Sequence, residues 1–346
     1  MKDIVVAVDA NGADLGPGEV AAGAALAAGE GVRVLLFGPA EEMGEPGEGV
    51  QVIHAPISIA KSPDPVSAVR SNPDASIVQA ARAVAAGRAQ ALVCAGSTGA
   101  ALAAGLFNIK RARGIHRPAL ALELPVPGSP VTLLDVGANA EARREHLVQF
   151  AFMGAALARS ALAVEHPRVG LLSNGEEIGR GSLTVIAAHA ELAELAGDWF
   201  RFVGNVEGGD LLSGAADVIV TDGFTGNIAL KLIEGTSQTV LRAVRDAASS
   251  STRSKIGGSL LRPALLAFRE RIDPERQGGA YLLGLRSLGV VPHGRFTRRG
   301  FAQAILRAHA GVRHDLVLGI HTALQASGAL RVTPASGQIA SLPPQQ

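Results

Sequence analysis

Two glycine-bounded turns carry the polar groups best placed to do chemistry. At 216–227 an apolar run, Ala-Asp-Val-Ile-Val-Thr, ends in Asp222, Gly223, Phe224, Thr225, Gly226 and Asn227, and a helical pattern follows from Ile228. At 91–100 the run Ala-Leu-Val-Cys-Ala-Gly leads into Ser97, Thr98 and Gly99. A strand that opens into a helix through such a turn presents N–H groups without intrahelical partners, backed by the positive end of the helix dipole. That is chemistry for an oxyanion. Ser97, Thr98, Gly99, Asn139, Asp222, Gly223 and Gly226 are the candidate phosphate ligands.

Other strand ends repeat the pattern. Asp9, Asn11 and Asp14 follow the first apolar run, Asp135 and Asn139 a later one, then Glu176, Glu177 and Arg180, then Asn205 and Glu207, then His293. Each set also fits ordinary turns and helix caps. Read together they line a substrate cleft, because open α/β sheets bind ligands where the carboxyl ends of their strands gather. Lys231 falls one helical turn after Asn227, on the same face. It supplies positive charge to the site or extends into solvent. His293, between a strand and Gly294, is a hydrogen-bond donor or general acid, or a histidine tied to a neighbouring carbonyl. The catalytic candidates are His293, Lys231 and Asn227. Cys94 lies inside a strand pattern with nothing nearby in sequence to lower its pKa, which marks an inert buried thiol rather than a nucleophile.

The elements that position these groups follow from periodicity. Short apolar runs without clean alternation at 4–9, 32–38, 51–54, 90–95, 119–124, 131–136, 168–173, 201–206, 217–222 and 289–292 read as strands covered on both faces. Helical patterns fall at 19–28, 76–86, 100–112, 145–163, 182–195, 228–247 and 299–325. Their alternation predicts an α/β, three-layer, largely parallel sheet over a single domain at 1–328. The acidic, glycine-rich stretch 39–49 reads as a solvated loop, and 329–346 as a disordered tail. The 346 residues are 47% hydrophobic and 18% charged, which excludes a disordered chain. A net charge of +1 does not predict nucleic-acid binding, and one cysteine excludes an intramolecular disulfide framework and fits a reducing compartment. No secretion signal or membrane-length apolar run is evident, so a cytoplasmic enzyme is expected.

The motifs together resemble the bacterial phosphate acyltransferases of phospholipid synthesis. The resemblance rests on Asp-Ala-Asn-Gly-Ala-Asp at 9–14, Ser-Thr-Gly-Ala at 97–100, Leu-Asp-Val-Gly-Ala-Asn at 134–139, Gly-Asn-Val-Glu-Gly at 204–208 and Asp-Gly-Phe-Thr-Gly-Asn at 222–227. Lys231, Glu234, the glycines at 278 and 279, and His293-Gly294 continue it in order. The chain departs from the family pattern at Asn11 and Ala13, at Ser71, Asn72 and Pro73 where basic residues are usual, at Arg180 and at Tyr281. The resemblance implies a sheet of the isocitrate/isopropylmalate dehydrogenase-like type and transfer of a fatty acyl group from acyl-carrier protein to inorganic phosphate. It also implies a homodimer and, as a downstream partner, a membrane-bound glycerol-3-phosphate acyltransferase.

Phosphate is already nucleophilic near neutral pH, so such an enzyme needs to align two reactants and stabilise charge on the thioester carbonyl oxygen. No cofactor is expected, with Mg²⁺ on Asp14, Asp135 and Asp222 as a lesser option. Between 245 and 276, Arg253, Lys255 and Arg262 alternate with Leu260, Leu261, Leu265, Leu266 and Phe268. This amphipathic helical pair, interrupted at Arg262 and Pro263, reads as a protrusion that docks the acidic carrier or an anionic membrane, or forms a dimer interface. Two alternatives stand beside the acyltransferase: a non-catalytic paralogue that binds the carrier, suggested by Ser71–Pro73, and a metal- and NAD-dependent decarboxylating dehydrogenase of the same fold. Cys94→Ala is expected to leave turnover unchanged; loss of acyl-phosphate formation in a folded variant, measured by phosphate-dependent thiol release, would require a covalent route.

Overall fold

The structure is a computed structural model that describes residues 3–124 and 130–331. In chain order the elements are β1 (Val5–Asp9), α1 (Pro17–Gly29), β2 (Arg33–Gly38), α2 (Ala40–Met43), β3 (Val50–His54), α3 (Pro65–Ser71), α4 (Ser76–Ala85), β4 (Ala91–Cys94) and α5 (Thr98–Ala104). After a π-helical turn at Gly105–Ile109 come β5 (Ala119–Leu124), β6 (Val131–Leu134), α6 (Arg144–Ala161), β7 (Arg168–Leu172), α7 (Leu183–Leu195), β8 (Arg201–Val206) and β9 (Val218–Val220). The chain continues through α8 (Gly223–Ser249), α9 (Thr252–Arg271), β10 (Ala280–Leu283), β11 (Leu288–Val291), α10 (Arg298–Arg313) and α11 (Leu316–Ala326).

The eleven strands among the described residues form one sheet in the order β3-β2-β1-β4-β11-β10-β5-β6-β9-β7-β8. Seven pairings are parallel; β11–β10, β10–β5 and β5–β6 are antiparallel. The cause is linker length. Residues 125–130 join β5 to β6 and residues 284–287 join β10 to β11, and both links are too short for the dozen or more residues of a parallel crossover. Every strand between these two hairpins therefore runs opposite to β1–β5 and β11. The carboxyl ends of β1, β4 and β11 form one edge of the sheet, and those of β6, β7, β8 and β9 form the other. The expectation that all glycine-lined tips meet on one edge is corrected by this reversal.

Two apolar layers cover the sheet, giving the three-layer arrangement. One packs α1, α6, α7, α10 and α11 through residues such as Val20, Phe150, Leu192, Ile305 and Leu324. The other packs α4 and α5 through Ile77, Val84, Ala100 and Ala104, with Ala229, Leu230 and Ile233 of α8 partly covered. Alanine-rich helix faces let the layers sit close with few aromatics. Tyr281, at one of the departures from the family pattern, is buried under the Arg307 guanidinium, 4.2 Å from its ring centroid, and its hydroxyl donates to the Arg307 carbonyl at 3.0 Å.

Several boundaries differ from those expected. The helix expected to open at Ile228 opens at Gly223, because Asp222 caps it. The single helix expected over 299–325 is two, divided at Asp315, whose backbone is left-handed with φ 51°. The pair expected around 245–276 is the end of α8 followed by α9, and α9 runs unbroken through Pro263. Part of the stretch expected as a loop at 39–49 is the short α2. Strand β10 and helix α3 have no counterpart among the sequence expectations. The expected tail falls, from 332 onward, outside the described residues.

The first turn of α8 lies against the loop after β6. The Gly223 N–H donates to the Asn139 carbonyl at 2.7 Å, and a Cβ at Gly226 would stand 1.9 Å from the Asp135 carbonyl oxygen. Gly226→Ala is expected to cost roughly 2–4 kcal/mol, read as a lower denaturant midpoint at unchanged slope.

Candidate active site

The first edge gathers the ends of β1, β4 and β11. The Asp14 N–H donates to the Gly294 carbonyl at 2.8 Å. Cβ atoms placed on Gly96 and Gly294 would lie 2.4 and 3.4 Å from the Gly12 carbonyl oxygen, so the three loops touch. Ser97 caps α5, its hydroxyl accepting from the Ala100 N–H at 3.2 Å. The N–H groups of Thr98 and Gly99 find no acceptor among the described residues, and they are open donors at this edge.

Lys231 reaches the same place from the far edge. From Asp222, α8 crosses one face of the sheet, and the nine residues to Lys231 span roughly 13 Å. The Lys231 ammonium donates to Glu234 at 2.9 Å, and Arg295 lies 3.7 Å from the same carboxylate. Glu234 thus ties α8 to the loop after β11. The Arg295 N–H donates to His293 Nδ1 at 3.3 Å. That leaves the proton of the neutral ring on Nε2, pointing the histidine outward as a donor. Burial, then the cations Arg295 and Lys231, hold its pKa below the usual imidazole range, against Glu234 and Asp14.

Asp9 and Asn11 do not line an open cleft. Both are buried. Asp9 Oδ1 accepts from the Ser76 hydroxyl at 2.6 Å and the Asn11 N–H at 3.1 Å, and the Asn11 amide donates to Ser76 and to the Ala55 carbonyl. Burial pushes the Asp9 carboxyl up to about 7 against these donors. Cys94 donates to Asp9 at 3.7 Å, and burial with the Asp9 charge drives its pKa further up. The thiol is therefore protonated and packed.

The second edge holds the rest. Asp135 is buried and accepts from the N–H groups of Leu120, Gly137, Ala138 and Asn139 and from the Asn139 amide. Burial pushes its carboxyl above the ordinary range and those donors oppose the push. The Asn139 amide also donates to the Pro118 carbonyl, so it is occupied structurally. Asp222 spends its carboxylate on the Thr225 N–H and hydroxyl, both at 2.8 Å. The expected phosphate cradle at Asn139, Asp222, Gly223 and Gly226 is corrected in part: the N–H groups of Asn139, Gly223 and Gly226 already have partners. Asn227 is exposed on α8, one turn before Lys231. Asn205 is buried and donates to the carbonyls of Glu177 and Arg180, pinning that turn, while Glu177 and Arg180 form an exposed pair at 3.6 Å. Glu176 is exposed, and Glu207 opens a 3-10 turn at Gly208–Leu212.

A shared Mg²⁺ on Asp14, Asp135 and Asp222 is excluded by position, since Asp14 is on the first edge and the others on the second. His116, Glu145 and His146 offer ligand atoms within 4.8 Å of one another. They do not fit a cation: His146 Nδ1 accepts from the Arg143 N–H at 3.1 Å, whereas a ligating histidine donates through its other nitrogen. Arg111, Arg117, Arg143 and Arg331 also bear on the two rings.

A family model described as "Fatty acid synthesis protein" matches residues 4–318. The phosphate acyltransferase of Thermus thermophilus is 42% identical over 93% of this chain and 98% of its own length. That of Anaeromyxobacter dehalogenans is 41% identical over 98% of this chain and 95% of its own. The chain belongs to the phosphate acyltransferase family. It is an acyltransferase.

Solved structures share the fold at low identity. A phosphotransacetylase from Streptococcus pyogenes aligns with TM-score 0.59 at 16% identity, over 90% of this chain and 95% of its own. A 4-hydroxythreonine-4-phosphate dehydrogenase from Klebsiella pneumoniae aligns with TM-score 0.51 at 15% identity, over 89% and 99%. This likeness shows the fold alone.

Sequence reasoning named Glu234 only within a motif, without a role, and missed Arg295 and Ser76. Glu234 had a signal, three residues after Lys231 on a helix; Ser76 had none. The raised Asp9 pKa predicts a pH signature. An acid whose folded pKa is raised adds stability below its unfolded value, near 4, and loses it as pH rises to about 7. The stability of wild type minus Asp9→Asn is expected to fall by up to ~4 kcal/mol across that window and then level, as measured by denaturation at several pH values.

Proposed function

We propose that Thr98, Gly99, Lys231 and His293 carry the family reaction, with phosphate held by the two free N–H groups and the lysine. A phosphate oxygen attacks the thioester carbonyl carbon, the C–O bond forms, the C–S bond breaks, and the thiolate leaves to take up a proton. His293 Nε2–H donates to the carbonyl oxygen as charge grows on it. The observation that carries this reading is the Arg295 N–H on His293 Nδ1, which makes the imidazole a neutral donor beside Lys231 and Glu234.

The donor in this reading is acyl-carrier protein, the product is a long-chain acyl-phosphate for phospholipid synthesis, and no bound cofactor takes part. The sheet is read as the isocitrate/isopropylmalate dehydrogenase-like type, supported by the fold likeness to the 4-hydroxythreonine-4-phosphate dehydrogenase. Helix α9 has no buried residue. Leu260, Leu261, Leu266 and Phe268 are exposed beside Arg253, Lys255 and Arg262. The α8–α9 hairpin therefore suits an anionic membrane surface or a second copy in a homodimer. No helix among the described residues is long and apolar enough to cross a membrane. A membrane-bound acyltransferase acting on glycerol 3-phosphate would consume the product.

His293→Ala is expected to lower kcat about 100-fold or more with little change in KM, as for loss of an oxyanion donor. Lys231→Ala is expected to raise the KM for phosphate about tenfold. Both are measured as acyl-phosphate formed from acyl-carrier protein; full activity in His293→Ala would remove the histidine from the reaction.

A further inference from the structure

The second edge carries a cationic surface that the reaction leaves unused. Lys110, Arg111, Arg113 and Arg117 fall within eight residues that contain no acid. Arg331 joins them, its N–H donating to the Gly114 carbonyl at 2.8 Å, and Arg143 stands at the start of α6. Arg113, Arg117 and Arg331 form no ion pair among the described residues. In a chain of net charge +1 this is a local excess. It is felt by its neighbours: after burial, Arg331 and Arg111 lower the pKa of His116, and Arg117 and Arg143 that of His146, against Glu145.

Three features select the occupant. No large apolar side chain is exposed at 110–117 or 139–146, so this surface has nothing to insert into a bilayer, unlike α9. The same segments expose no aromatic side chain on which bases would stack. The loop that bears this surface is also bonded, through Asn139, to the start of α8. The Pro118 carbonyl, next to Arg117, accepts from the Asn139 amide at 2.8 Å. The Asn139 carbonyl accepts from the Gly223 N–H at 2.7 Å. From there α8 leads roughly 13 Å to Lys231.

We propose that this arginine surface docks an acidic protein carrying the acyl thioester, which reaches Lys231 and His293 along α8. The inference rests on the acyl-transfer reading and moves the carrier away from the α8–α9 hairpin, leaving that hairpin to a lipid surface or a second copy. Exposed charges of this kind steer encounter and orient the partner, and act through KM more than through the chemical step. Neither the Arg113 nor the Arg117 side chain makes a hydrogen bond among the described residues, so replacing them does not disturb the fold.

The test is Arg113→Glu with Arg117→Glu, assayed on a fatty acyl group carried by acyl-carrier protein and on the same group carried by coenzyme A. The expected result is a KM for the protein donor about tenfold or more higher, with kcat within about twofold and the coenzyme A KM unchanged. The double lysine variant should behave as wild type, and added salt should weaken wild type more than the glutamate variant. An unchanged KM for the protein donor overturns the docking proposal, as does an equal loss on both donors. Loss of binding to anionic phosphatidylglycerol vesicles with the protein-donor KM intact also overturns it, in favour of lipid. If wild type makes no acyl-phosphate from either donor, the acyl-transfer reading itself has failed.

Discussion

The buried carboxylate of Asp135 is the anchor on which the site depends. Its two oxygens collect N–H donors from the start of β5 and from the whole loop after β6. That loop then receives the first turn of α8 at Gly223 and Gly226, where a Cβ would strike the Asn139 or Asp135 carbonyl. A long helix held so closely at one end has its direction set. It crosses the sheet face and delivers Lys231 and Glu234 to the loop of His293 and Arg295. On the proposed site the carboxylate would act from the opposite edge of the sheet, through a helix axis rather than through contact with substrate.

The same arrangement explains why so many polar residues at strand ends have structural duties. Asp9, Asn11 and Ser76 bond one another beneath the first edge. Asn205 holds the Glu177–Arg180 turn. Buried polar groups must find partners, and loops that approach as closely as these leave few donors over. What stays open is therefore informative: the Thr98 and Gly99 N–H groups and the outward nitrogen of His293, beside a Lys231 ammonium that Glu234 holds. These groups belong to three different elements, so the site exists only while α8, the β4 turn and the β11 loop are held together. Glu234, between two cations, supplies that hold.

Much of the architecture was legible in the chain. Apolar runs located ten of the eleven strands, and the alternation with helices implied a layered α/β sheet. The reversal of its second half was legible too, though only by a different signal: six residues between β5 and β6 cannot contain a crossover. Strand β10 escaped because Ala-Tyr-Leu-Leu is too short to show a period. The motifs led to the family, yet motif order does not distinguish a glycine that admits a ligand from one that admits another loop. Gly226 and Gly99 look alike in sequence; one faces the Asp135 carbonyl and the other the ring of Pro65.

By itself the sequence determined the fold class, the family and the short list of residues able to do chemistry, because periodicity, turn chemistry and ordered motifs are local properties of the chain. Only the tertiary structure decided which of those residues share an edge. Strand direction is inherited along the chain from each link to the next, and the distance between two tips depends on the sum of those links. Lys231 and His293 meet because α8 recrosses the sheet after an odd number of reversals, a fact stored in no single segment.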